Sequence, residues 1–130
     1  MNHVLLVCYV SSKIGIGHLS RLLALAETLR IDNKVIPEFL IFGDLIKKGD
    51  LEKFKVHSFS LKDEFVETIE KTLINNEYTV LIFDLYPNHN IDNLNELFKH
   101  LKQRDLHLIS IDALIEYCDI LDLIWIPSFN

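Results

Sequence analysis

The feature that most constrains this chain is a series of short, dense apolar runs: residues 3–10 (HVLLVCYV), 34–42 (KVIPEFLIF), 79–84 (TVLIFD), 106–112 (LHLISID) and 121–126 (LDLIWI). They are continuous rather than alternating, which is the pattern of strands buried on both faces of a parallel sheet. None approaches the ~18 apolar residues of a membrane span. Between them lie segments with helical spacing of apolar residues. These are about 18–30 (Leu19, Leu22, Leu23, Ala26, Leu29), 62–75 (Phe65, Val66, Ile69, Leu73, Ile74) and about 91–104 (Leu94, Leu97, Phe98, Leu101). Lys55–Phe59 reads as a short further strand, 43–49 as a turn or helical piece, and a brief helical segment separates the last two strands. Strands alternating with helices in this order predict an α/β protein with a Rossmann-like, doubly wound, mainly parallel sheet of about six strands. No repeat, linker or low-complexity tract divides residues 1–130, so one domain is expected. Pro37 lacks a ladder donor and predicts an edge or irregular strand, and Trp125 is expected in the core.

Composition narrows the function. The 130 residues are 49% hydrophobic and 25% charged, enough to bury a substantial core and too apolar for a disordered segment. A net charge of -6 argues against nucleic-acid binding, which rests on Lys and Arg meeting phosphates. Cys8 and Cys118 sit in or beside apolar runs and read as buried free thiols in a reducing compartment. The first ten residues carry no Lys or Arg and no small-residue cleavage site, unlike a secretory signal. The expectation is a cytoplasmic protein without an integral membrane segment.

In an open α/β sheet, ligands bind outside the carboxyl ends of the strands. Two of the four glycines, Gly15 and Gly17, fall in the turn after the first strand, where they let the backbone approach a ligand closely. The helix that follows directs its free N–H groups to the same place, which outlines an anion site. The dinucleotide pattern G-x-G-x-x-G fails because its third position is Ser20, and the phosphate loop G-x-x-x-x-G-K-[ST] is absent. Instead His18 follows the second glycine, with Arg21 three residues on and on the same helical face. A cation in the first turn opposes the helix dipole by some tenths of a kcal/mol. A bound anion, or a carboxylate such as Asp84, would offset this. From spacing alone, His18 reads equally as a helix-start residue and Arg21 as a solvated charge.

The stretch 11–21 (SSKIGIGHLSR) resembles the G-x-G-H-x-x-R turn of a group of GT-B nucleotide-sugar enzymes, which includes the UDP-sugar hydrolase of pseudaminic acid biosynthesis and related glycosyltransferases. Residues 80–86 (VLIFDLY), 109–112 (ISID), 118–121 (CDIL) and the final Asn130 are similar to later segments of that group's N-terminal lobe, in the same order. The resemblance implies a nucleotide-sugar site between two Rossmann-like lobes. The C-terminal lobe would hold the uridine and most of the diphosphate, and the N-terminal lobe would meet the sugar. It implies His18 as the catalytic group, orienting or deprotonating a water or acceptor, a task suited to an imidazole with pKa near 6.5. Gly15, Gly17, Arg21, Asp84, Tyr86 and Asp112 become substrate-site residues, with no cofactor and no metal. Ala113 stands where the hydrolase tends to have a second Asp. The chain matches the first lobe only, so the expected partners are a UDP-sugar and either a second lobe, a partner chain or a second copy.

Two other classes stay open. One is a non-catalytic binding or assembly module, or one subunit of a split glycosyltransferase, in which the G-x-G-H turn persists as architecture. The other is a nucleotide-binding regulator with a degenerate dinucleotide fold, using Asp44 near the end of the second strand. The histidines His57, His89, His100 and His107 lack metal-ligand spacing. Ser11 and Ser12 lack a nucleophile elbow. Asp63, Glu64, Glu67 and Glu70 read as a solvated helix face, His107 as packed within a strand, and His89 as able to line the cleft.

Overall fold

The computed structural model describes residues 2–10, 17–31, 34–43, 51–85, 93–111, 114–117 and 119–125. The elements are β1 (Asn2–Tyr9), α1 (Gly17–Arg30), β2 (Val35–Phe42), β3 (Lys55–Phe59), α2 (Phe65–Ile74), β4 (Val80–Asp84), α3 (Leu94–Gln103), β5 (His107–Ile111), a 3-10 turn (Ile115–Tyr117) and β6 (Leu123–Trp125). All six strands join one sheet in the order β3-β2-β1-β4-β5-β6, and every pairing is parallel. This is the strand order of the Rossmann fold, with its reversal point between β1 and β4.

The run of apolar residues in β1 follows from its central place. Leu5, Val7 and Tyr9 face one core and Val4, Leu6 and Cys8 the other. The first core is closed by α2 and α3 through Phe65, Ile69, Leu73, Leu97, Phe98 and Leu101. Its aromatic residues form a connected series, from Tyr9 stacked on Phe42 at 4.7 Å to Phe83 against Phe98 at 5.4 Å. The second core is covered by α1 through Leu22 and Ala26, and by Leu51 and Phe54 ahead of β3. Glu64 caps α2, its carboxylate accepting the backbone N–H groups of Val66 and Glu67. At the end of α3, Asp105 takes a left-handed conformation (φ 59°), and the N–H of Leu106 donates back to Leu101.

Three expectations are corrected. β2 is an internal strand, paired with β1 and β3, not an edge. Pro37 is accommodated because β3 begins to pair only at Glu38, so at Pro37 the strand has a partner on one side. Trp125 is 49% exposed rather than core, because β6 is a three-residue edge strand on a part of the sheet that α1 does not cover. Ile74 is 75% exposed, since it ends α2 away from the face formed by Phe65, Ile69 and Leu73. His107 lies in β5 as expected, but as its exposed first residue.

Candidate functional site

The carboxyl ends of β1 and β4 and the start of α1 meet at the reversal point of the sheet. Gly17 opens α1 and His18 is its second residue, three positions before Arg21. Asp84 ends β4 in register with Cys8 of β1, on the face that α1 covers. Its carboxylate is fully buried, and the Arg21 guanidinium grips it with two donors: Nε to Oδ2 at 2.7 Å and Nη2 to Oδ1 at 2.5 Å. A two-pronged arginine–carboxylate contact fixes both distance and plane. Through the fifth residue of α1, it ties the start of the helix to the end of β4 across the reversal point. A carboxylate therefore offsets the misplacement of Arg21 at a helix start, one of the two solutions open from sequence.

The neighbours carry the imprint of this charge. Burial, reinforced by the nearby Asp84 carboxylate, pushes the Cys8 thiol well above its ordinary pKa, so Cys8 is a buried neutral thiol. On the opposite face, burial and then the Glu64 carboxylate push the Tyr9 hydroxyl up to about 12. Gly43 follows β2 at φ 151°, its N–H donating to the Phe59 carbonyl. A Cβ there would lie 1.8 Å from the carbonyl oxygen of Val10, so only glycine lets β1 and β2 leave the sheet side by side.

Arg21 and Asp84 are the predicted site residues that the structure brings together. Gly15, Tyr86, Asp112 and the side chain of His18 lie outside the described residues, as do Asp44, His89 and Cys118. The glycine Gly17 is placed as the first residue of α1. Among the described residues no group of three or more His, Cys, Asp or Glu is placed to hold a metal, and no helix is long and apolar enough to cross a membrane.

The sequence reading missed a second polar cluster, at the amino end of the sheet. Glu38 of β2 is 5% exposed. It accepts Tyr78 Oη at 2.9 Å and contacts His57 Nε2 at 3.2 Å and His3 Nδ1 at 3.0 Å. Burial alone would raise its pKa. The hydrogen bonds of His3, His57 and Tyr78, with the charge of Lys55, outweigh burial and hold Glu38 below the ordinary carboxylate value. The Tyr78 hydroxyl is pushed up by burial and then by Glu38. A charged residue inside an apolar strand run was the available signal, because an unpaired buried carboxylate is too costly to keep.

Comparisons of the chain with protein-family models, with curated proteins and with solved structures found no match.

Proposed function

We propose that this chain is the sugar-side lobe of a nucleotide-sugar enzyme of the UDP-sugar hydrolase or glycosyltransferase type, acting in the cytoplasm. The observation that carries the reading is the Arg21–Asp84 clamp at the sheet's reversal point, one helical turn from His18. It gives the first turn of α1 a fixed seat, as a general base on that turn requires. The order β3-β2-β1-β4-β5-β6 puts this turn where α/β sheets receive their ligands. In this reading Arg21 positions the helix and does not itself touch the diphosphate. His18 activates water or an acceptor, while Gly15, Gly17, Tyr86 and Asp112 complete the sugar side. The uridine and diphosphate contacts come from a second lobe or partner chain.

The test is UDP-sugar turnover by the chain, alone and mixed with a candidate nucleotide-binding lobe. His18→Ala is expected to abolish turnover while leaving UDP affinity of the mixture unchanged. Turnover retained in His18→Ala would contradict the catalytic assignment. The binding-module reading predicts no turnover in any combination, with a stable complex between the two chains.

A further inference from the structure

The Glu38 network does not end in the interior, because His3 opens on a recess. The recess holds about 320 Å³ and lies at the amino end of the sheet, on the face that α2 and α3 cover. That volume is near the lower limit of small-molecule sites, about 300–1,000 Å³. Its apolar wall is Leu73, near the end of α2, and Leu106, just before β5, both of them core residues. His3, Glu77 and Arg104 supply the polar lining, and Tyr78 stands behind them.

These polar groups are set in different ways. An ionised carboxylate only accepts hydrogen bonds, so the 3.0 Å contact from His3 to Glu38 places a proton on Nδ1. The Nε2 atom of the neutral ring is then an acceptor. Nδ1 is turned to the buried carboxylate, so the exposed edge of the ring, which meets the recess, carries Nε2. The Tyr78 hydroxyl donates to Glu38 and is engaged. Glu77 and Arg104 differ from both. They are exposed, and among the described residues neither side chain makes a hydrogen bond or an ion pair, even with the other.

Charge then selects the ligand. α2 and α3 both finish beside the recess, at Ile74 and Gln103, and the carboxyl ends of helices carry partial negative charge. Those ends, the Glu77 carboxylate and the His3 acceptor favour a cation and oppose a bare anion. Arg104 opposes a bare cation, and its planar fork matches a carboxylate. A molecule carrying both charges satisfies each group. We infer that the recess binds a zwitterionic α-amino acid with a short apolar side chain. Its carboxylate meets Arg104, its ammonium donates to Glu77 and to His3 Nε2, and its side chain packs on Leu73 and Leu106. In an α-amino acid these three groups diverge from one carbon, which suits a small recess with an acid, a base and an apolar wall. Glu38 does not touch the ligand; it fixes the tautomer of His3. The inference is independent of the nucleotide-sugar reading, since the recess lies at the opposite end of the sheet from the Arg21–Asp84 clamp.

An NMR titration of the full chain with L-valine tests it, following the backbone amides of His3, Glu77 and Leu106. Saturable shifts centred on these residues are expected, with a Kd of about 1 mM or below. Isovalerate lacks the ammonium and isobutylamine lacks the carboxylate, and each should bind at least about tenfold more weakly. Arg104→Gln and Glu77→Gln should each weaken L-valine binding by a similar factor. Both positions are exposed, so each variant should keep the wild-type circular dichroism and unfolding midpoint. Lys99→Gln, elsewhere on α3, should leave the Kd unchanged. Absence of saturable shifts with L-valine overturns the inference. So does isovalerate or isobutylamine binding as tightly as L-valine, or an L-valine affinity unchanged in either Arg104→Gln or Glu77→Gln.

Discussion

The two ends of the sheet each bury a carboxylate, and they do so differently. At the carboxyl end, Asp84 is gripped at both oxygens by Arg21, which reaches from a helix. At the amino end, Glu38 is shared among His3, His57 and Tyr78, drawn from β1, β3 and the residue two before β4. The first arrangement fixes one helix start relative to one strand end, in the crevice where this fold receives ligands. The second ties neighbouring strands together, and each of its partners can be lost singly. The same chemical problem, a buried negative charge, thus meets a two-pronged guanidinium at one end and a set of single contacts from three residues at the other. Clamps suit sites that must hold a geometry, and networks suit structure.

Four substitutions sharpen that contrast. Arg21→Met leaves Asp84 buried without its clamp and is expected to cost about 3–5 kcal/mol in urea unfolding. A loss below about 1 kcal/mol would mean the clamp is not what neutralises Asp84. Gly43→Ala forces a Cβ against the Val10 carbonyl at a backbone angle suited to glycine. It should cost at least about 2 kcal/mol, again measured by urea unfolding. Glu38→Gln keeps the shape of the amino-end network but weakens its charge-assisted bonds, with an expected loss of about 1–3 kcal/mol. Tyr78→Phe removes one donor of three and should cost about 1 kcal/mol. Neither amino-end variant should alter ligand binding, whereas Arg21→Met should weaken it.

Acid reaches the amino-end network through Glu38. Glu38 titrates below its unfolded value in the native state, so its contribution to stability is fully present above that unfolded value, near pH 4.3. It is lost as pH falls through the lower native value. Asp122 behaves in the same direction: burial opposes ionisation, but Lys102, the Leu108 N–H and His107 outweigh it. Stability measured from pH 6 downward should therefore fall more steeply in the wild type than in Glu38→Gln. Parallel curves would show that Glu38 does not contribute to acid sensitivity.

Much of this was legible in the sequence because a parallel sheet writes itself as apolar runs. The runs ending at Phe42 and Asp84 mark strands that end there in the structure, and the alternation with helices is enough to expect six strands in one sheet. Helix limits were less legible: 62–75 became Phe65–Ile74, because Glu64 caps the helix and residues before it turn instead. The exposure of Trp125 was hidden, since an apolar residue reads as core whichever side of the sheet a helix covers. Arg21 with Asp84 was readable from electrostatics, as a cation at a helix start needs a partner. The Glu38 network was not read, because its members are spread from residue 3 to residue 78 and share no local spacing.

The most direct test of the central claim, that the start of α1 beside the clamp is a sugar-nucleotide site, is a heteronuclear NMR titration of the full chain. UDP and then a UDP-sugar are added while the backbone amides of residues 14–22 and 84 are followed, with those of Glu38, His57 and Tyr78 as the reference end. The account predicts shifts confined to residues 14–22 and 84, larger for the UDP-sugar than for UDP. No shift at millimolar ligand, or shifts centred on the Glu38 end, would contradict it.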